Sequence, residues 1–377
     1  MKGVSSEHGW RVIGCAGVAL ALAAVLLAAA SPAQAGPPAP GYFGIAPTAP
    51  ENLTEDEYAR MGKAEIGTLR VPFFWPHIQP ETQAGEPGGE PGYKWAYTDR
   101  IVTQATTNGM KVLPFVYGTP NWAGSSVRLP PVRSERARRA WEALFRALVL
   151  RYGPGGEFWT TPGLAPAGHE PIPITDWQIW NEPNSPTFMK QGHDTAGAYA
   201  RMLDIAELAI HESDPNASVV SAGLFADPRG GEQFEQFLHR LFQHAGVEED
   251  IDALGLHPYA PKIGKLIERL GFARKVMASN GVSKPIWVTE LGWPTGGTKA
   301  GNYRKTPRGQ AAILRRAFDL MLARREEWGI NGVIWYTWRD NRLAPKCDIC
   351  SYSGLFKRGG GPKPAWNAFV DYTGGQP

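Results

Sequence analysis

The chain has 377 residues, 43% of them hydrophobic, which suits a globular protein of one large domain or two small ones. Lysine and arginine number 39 against 36 acidic residues, a formal charge of +3. That balance is no electrostatic footprint for nucleic acid, so a polyanion-binding role is excluded as the organising theme.

Residues 1–35 read as a targeting segment, with Lys2 and Arg11 in a basic n-region, an apolar run over 12–30, and Ala33-Gln34-Ala35 as a small-residue cleavage site. A secreted product free of the membrane is expected after cleavage. The apolar run is long for a signal peptide, so an uncleaved N-terminal anchor stays open. Cys15 precedes that run, the wrong order for a lipid-attachment cysteine, and 36–41 form a Pro-rich extended linker.

From residue 42 onward, short apolar runs rich in β-branched and aromatic residues alternate with helical periodicity. The runs are 42–46, 68–73, 111–117, 176–180, 218–224, 253–257, 285–289 and 332–337. Eight such rounds predict a single α/β domain over 42–373, a (β/α)8 barrel of TIM type. Between the runs, Trp141, Leu144, Phe145, Leu148 and Val149 recur at helical spacing, as do Ile313, Leu314, Ala317, Phe318 and Met321. These stripes are read as core facing the barrel. The arginine-rich stretch 133–139 flanks the first of them and reads as a solvated helix face. Proline and glycine concentrate in four long connections, 80–92, 153–173, 292–301 and 343–362, three of which follow strands and so fall on the face where barrels place their chemistry.

Within this frame two acids stand out. The fourth run ends Trp-Gln-Ile-Trp-Asn-Glu-Pro-Asn at 177–184, and the seventh ends Trp-Val-Thr-Glu-Leu-Gly-Trp-Pro at 287–294. Each places a glutamate, Glu182 or Glu290, where its strand stops, with a chain-breaking proline following closely. One glutamate at a strand end is usually a solvated loop residue; a matched pair is harder to dismiss.

On these motifs the sequence resembles the retaining glycoside hydrolases of clan A over roughly 42–369, nearest to the cellulase-like family 5 or the β-xylosidase-like family 39. The resemblance implies Glu182 as acid/base and Glu290 as nucleophile in hydrolysis of a β-linked polysaccharide or oligosaccharide, with no cofactor. It further implies that Arg70 holds the nucleophile ionised, that Asn181 bonds the sugar 2-hydroxyl, and that His257 and Tyr259 sit beside the nucleophile. An aromatic platform under the cleaved sugar is expected at Trp335, with Trp338 second, since sugar C–H faces stack on indole. Six tryptophans near strand ends, Trp75, Trp122, Trp180, Trp293, Trp335 and Trp338, are candidates for such contacts. A glycan-binding barrel that does not cut, or one that transfers glycosyl groups to an acceptor sugar, is the alternative.

Cys347 and Cys350 form a C-x-x-C with no second pair nearby to complete a zinc site, leaving a local disulfide or two free thiols. The eight histidines show no ligand-pair spacing, so no metal is expected, and neither is a nucleic-acid partner. A monomer is expected.

Overall fold

A computed structural model describes residues 38–81, 92–226, 231–344 and 347–377; the leader and most of the 80–92 connection lie outside the described residues. Residues from Pro37 to Pro377 make one compact unit. Among the described residues no helix is long and apolar enough to cross a membrane.

Nine parallel strands line the unit: β1 (Phe43–Ala46), β2 (Thr68–Phe74), β3 (Lys111–Tyr117), β4 (Asp176–Ile179), β5 (Ser218–Ser221), β6 (Leu224–Phe225), β7 (Leu254–His257), β8 (Ile286–Leu291) and β9 (Ile330–Tyr336). The ladder runs β5-β4-β3-β2-β1-β9-β8-β7-β6, so the first strand pairs with the last. A parallel bridge between Val220 and Ala253 joins β5 to β7 and closes the ring. The eight expected runs are thus all present, and the fifth is split into β5 and β6.

The split has a local cause. A Cβ built on Gly223 would come within 2.0 Å of His257 Nε2, so the backbone between β5 and β6 lies against that imidazole at a distance only glycine permits. At the seam, side chains supplement the backbone bonds: the Val219 N–H donates to Asp252 Oδ2 at 2.9 Å and the Gly255 N–H to Ser221 Oγ at 3.0 Å.

Helices alternate with the strands and bury their apolar stripes on the barrel. The helix Glu135–Tyr152 starts at Ser134, whose side chain accepts from the Ala137 N–H, and it buries Trp141, Leu144, Phe145 and Leu148. Each such side chain contributes about 1.5–3 kcal/mol on burial. The arginines of 133–139 are a solvated face, Arg138 and Arg139 pairing with Glu135 at 2.6 and 2.8 Å. Along β9 the strand period of two sends Val333 and Trp335 outward into the helix-facing core. Ile334 and Tyr336 point inward, where they join Ala46, Leu113, Val220 and Trp287.

Candidate active site

Above the apolar floor of the barrel lies a buried polar layer centred on Arg70, itself 1% exposed. From β2 its guanidinium reaches β4, the turn just past it, and β8. Nη1 donates to Glu290 Oε1 at 2.6 Å, Nη2 to Asn181 Oδ1 at 2.8 Å, and Nε to Gln178 Oε1 at 2.6 Å. The Phe115 ring lies 4.1 Å beneath it. Burial works against the charge, and Glu290 is the group that restores it. Gln178 is aimed in turn, its Nε2 donating to the Ser221 carbonyl at 2.9 Å and to Thr289 Oγ1 at 3.2 Å.

Glu290, inside β8, accepts on both oxygens: from Arg70 on Oε1 and from the Tyr259 hydroxyl on Oε2 at 2.8 Å. Glu182 sits just past β4, with Oε1 2.8 Å from His257 Nδ1. One oxygen of each glutamate and an imidazole nitrogen of His257 all lie within 4.8 Å of one another. Two acids distant in sequence therefore converge at the carboxyl end of the strands.

Their electrostatics follow from the packing. Burial first, then the charge of Glu290, push the Glu182 carboxyl well above the usual carboxylate range, with Arg70 opposing. Burial and the Arg70 charge hold His257 well below the usual imidazole range, so the ring is neutral. Its Nε2 is buried without a hydrogen-bond partner against Gly223. A stranded acceptor lone pair costs less than a stranded N–H, which assigns the ring proton to Nδ1. The Nδ1–H then donates to Glu182 Oε1 and leaves the acid's own proton to Oε2. Burial and Glu290 likewise hold the Tyr259 hydroxyl well above its ordinary range, keeping it a donor.

The acid is presented by strained backbone. Trp180 and Glu182 have φ of 72° and 40°, the left-handed region that costs a non-glycine residue about 1–3 kcal/mol. Neighbours hold this shape: the Trp180 N–H donates to the Val116 carbonyl at 2.8 Å and the Glu182 N–H to the Gly223 carbonyl at 3.2 Å. Asn184, closing the Asn-Glu-Pro-Asn motif, bonds both to the Phe225 N–H (3.0 Å) and to its carbonyl (2.8 Å), tying this turn to β6.

Gly223→Ala tests the coupling. Its Cβ would meet the His257 ring from 2.0 to 2.7 Å at three atoms, and that ring is fully buried and bonded to Glu182. The variant is expected to lose about 1–3 kcal/mol of stability, the usual range for overpacking, and at least tenfold in turnover; urea unfolding beside steady-state kinetics would measure both.

Six of the expected site residues thus meet in one constellation: Arg70, Asn181, Glu182, His257, Tyr259 and Glu290. The tryptophans require correction. Trp335 is fully buried on the outward face of β9 beside Trp293 and Phe318, its indole N–H on the Ser353 carbonyl at 3.2 Å. Trp338 is 2% exposed, packs on Phe356 and Trp366, and donates to Glu57 at 2.9 Å. Neither can stack on a sugar. Trp75, Trp180 and Trp293 are also fully buried, and Trp122 alone of the six is partly open.

The half-exposed aromatics near the site are instead phenylalanines and tyrosines. Phe74, Phe115, Tyr117 and Phe188 form a contiguous group, with ring centroids 5.0 Å apart for Phe74–Tyr117 and 6.0 Å for Tyr117–Phe188. Tyr336 faces inward from β9, where the charges of Glu290 and Glu182 bear on its hydroxyl.

Glu182, His257 and Glu290 also have the spacing of a metal ligand set. A cation there would face the Arg70 guanidinium 2.6 Å from the same carboxylate, and the arrangement suits two carboxyl groups better than a metal. Cys347 and Cys350 are joined, with S–S 2.09 Å, in the connection after β9.

No family model matches the sequence. Nor does any curated protein. Solved structures do resemble it in fold. A family 39 glycoside hydrolase from Bacteroides cellulosilyticus WH2 superposes with TM-score 0.62 at 20% identity, over 89% of this chain and 63% of that one. The chain thus spans less than two thirds of that relative. A family 39 β-xylosidase from Caulobacter crescentus gives 0.62 at 17% identity, covering 89% and 72%. Xylanase 10B from Thermotoga petrophila RKU-1 gives 0.57 at 15%, covering 89% and 94%. The fold of this chain is therefore the (β/α)8 barrel that these glycoside hydrolases share.

Proposed function

We propose that the protein is a retaining glycoside hydrolase that cleaves β-linked polysaccharides or oligosaccharides by double displacement. The observation that carries this reading is the convergence of Glu182 and Glu290, with carboxylate oxygens within 4.8 Å and unlike surroundings. Retention goes with carboxyl groups about 5–5.5 Å apart, whereas inversion needs about 6.5–9.5 Å to admit a water, and the spacing here supports the short regime.

The roles divide by environment. Glu290, oriented by Arg70 and Tyr259, attacks the anomeric carbon and forms a glycosyl ester while the C–O bond to the leaving group breaks. Glu182 gives its proton to the departing oxygen. Once Glu290 is esterified its charge is gone, the repulsion that raised the Glu182 carboxyl disappears, and Glu182 takes a proton from the water that releases the sugar. Asn181 has its Oδ1 occupied by Arg70, which turns its amide N–H2 to the substrate as a donor for a sugar hydroxyl. The half-exposed rings of Phe74, Phe115, Tyr117 and Phe188 offer apolar faces for further sugar units.

Glu182→Gln provides the test. Loss of a general acid is expected to lower turnover of unactivated glycans by about 10²–10⁴-fold, with far less loss on aryl glycosides whose leaving group needs no proton. In the wild type, turnover should fall as pH rises through the elevated Glu182 range, because the protonated form is the active one. A screen against β-linked polysaccharides, with proton NMR of the first product formed, reads both; an inverted anomer, or full activity in the variant, would refute the assignment. For location, we propose export by the N-terminal leader.

A further inference from the structure

On the wall formed by the connections after β1 and β9 lies a cavity of about 390 Å³ whose lining includes Leu53, Trp338, Arg339, Asn341, Arg342 and Arg358. That volume falls within the range of small-molecule sites, roughly 300–1,000 Å³. Thr48 also lines it and connects it to the reaction centre: its hydroxyl donates to the Tyr336 hydroxyl at 3.2 Å and accepts from Asn341 Nδ2 at 3.1 Å. Tyr336 faces the barrel interior from β9, the strand next to the β8 that carries Glu290.

The charge in this cavity is unbalanced. Arg339 is engaged by Glu57 at 2.7 Å, and Asp340 is taken up by Lys363 at 2.7 Å. Arg342 and Arg358 are exposed and make no ion pair among the described residues. Many arginines elsewhere on this nearly neutral chain are matched, as Arg138, Arg146, Arg240 and Arg315 are by nearby acids. Two unmatched guanidiniums lining this cavity offer a fork for an oxyanion.

We infer that this cavity is a subsite for an anionic sugar, one carrying a carboxylate or sulfate, next to the bond being cleaved. The inference rests on the hydrolase reading in treating the cavity as a subsite, and it extends that reading to a substrate class: acidic rather than neutral β-linked glycans.

Calorimetric titration with methyl β-D-glucuronide, glucose 6-sulfate, methyl β-D-glucoside and inorganic sulfate tests it. At least one anionic sugar should bind 10-fold or more tightly than the neutral glucoside. Arg342→Ala and Arg358→Ala should each cut that preference at least threefold, and the double variant should abolish it. Whichever anionic sugar binds identifies the charged group. Equal binding of the neutral glucoside, a preference surviving the double substitution, or inorganic sulfate binding as tightly as the sugars would overturn the inference. Both arginines are exposed, so their removal spares the fold. Protein that binds the anionic sugar yet cleaves no β-linked glycan would leave this subsite standing and remove the hydrolase reading instead.

Discussion

Glu290→Gln is expected to lower turnover on the order of 10⁴-fold or more, since the variant keeps the shape of the side chain and loses the nucleophile. The geometry makes the comparison clean. The amide oxygen can still accept from Arg70 or Tyr259, so the folded state survives with one of two contacts weakened. Removing the negative charge also removes the second-largest influence on Glu182, whose carboxyl should titrate lower in the variant. Carbon-13 NMR of labelled glutamate carboxyls would follow that shift beside the kinetics. Full turnover in the variant would take the catalytic role from Glu290 altogether.

The second large effect belongs to Arg70→Met, which keeps much of the stem and deletes the guanidinium. Breaking a buried ion pair by removing one partner costs about 3–5 kcal/mol, because the other charge is left uncompensated. Here the stranded group is Glu290, and Gln178 and Asn181 each lose a donor as well. Urea unfolding should register that loss, with turnover falling by at least 10²-fold. Arg70→Lys is expected to recover little of it, since one ammonium cannot span acceptors on β4, on the turn just past it and on β8 as a planar fork does. A variant with unchanged unfolding midpoint would show that the arginine is not the keystone its contacts describe.

Much of this was legible in sequence because it rests on patterns that chemistry forces to be local. An acid at a strand end, an asparagine before it and a chain-breaking proline after it can be read without coordinates, and so could Glu182, Glu290, Arg70 and the His-Pro-Tyr at 257–259. What stayed hidden depends on which way a strand faces. In β9 both faces are apolar, so the sequence Ile-Trp-Tyr-Thr gives no sign that Trp335 turns outward and Tyr336 inward. The larger indole drew the assignment, and packing gave the inward place to its neighbour. Gln178 passed unnoticed although a signal existed: an amide between Trp177 and Ile179 in a fully buried strand must find partners inside the barrel. Gly223 similarly interrupts an apolar run, the usual mark of a close backbone approach, and it divides the fifth strand beside His257.

The seam between β5 and β7 carries a consequence for how this protein could change over time. There, the backbone bonds from the Ser221 N–H to the Ala253 carbonyl and from the Asp252 N–H to the Val219 carbonyl are joined by the carboxylate of Asp252 and the hydroxyl of Ser221, side chains that a single substitution can erase. Because the Glu182 amide hangs on the Gly223 carbonyl at the same stave, drift at those two positions would loosen Glu182 while leaving Glu290's side of the ring untouched.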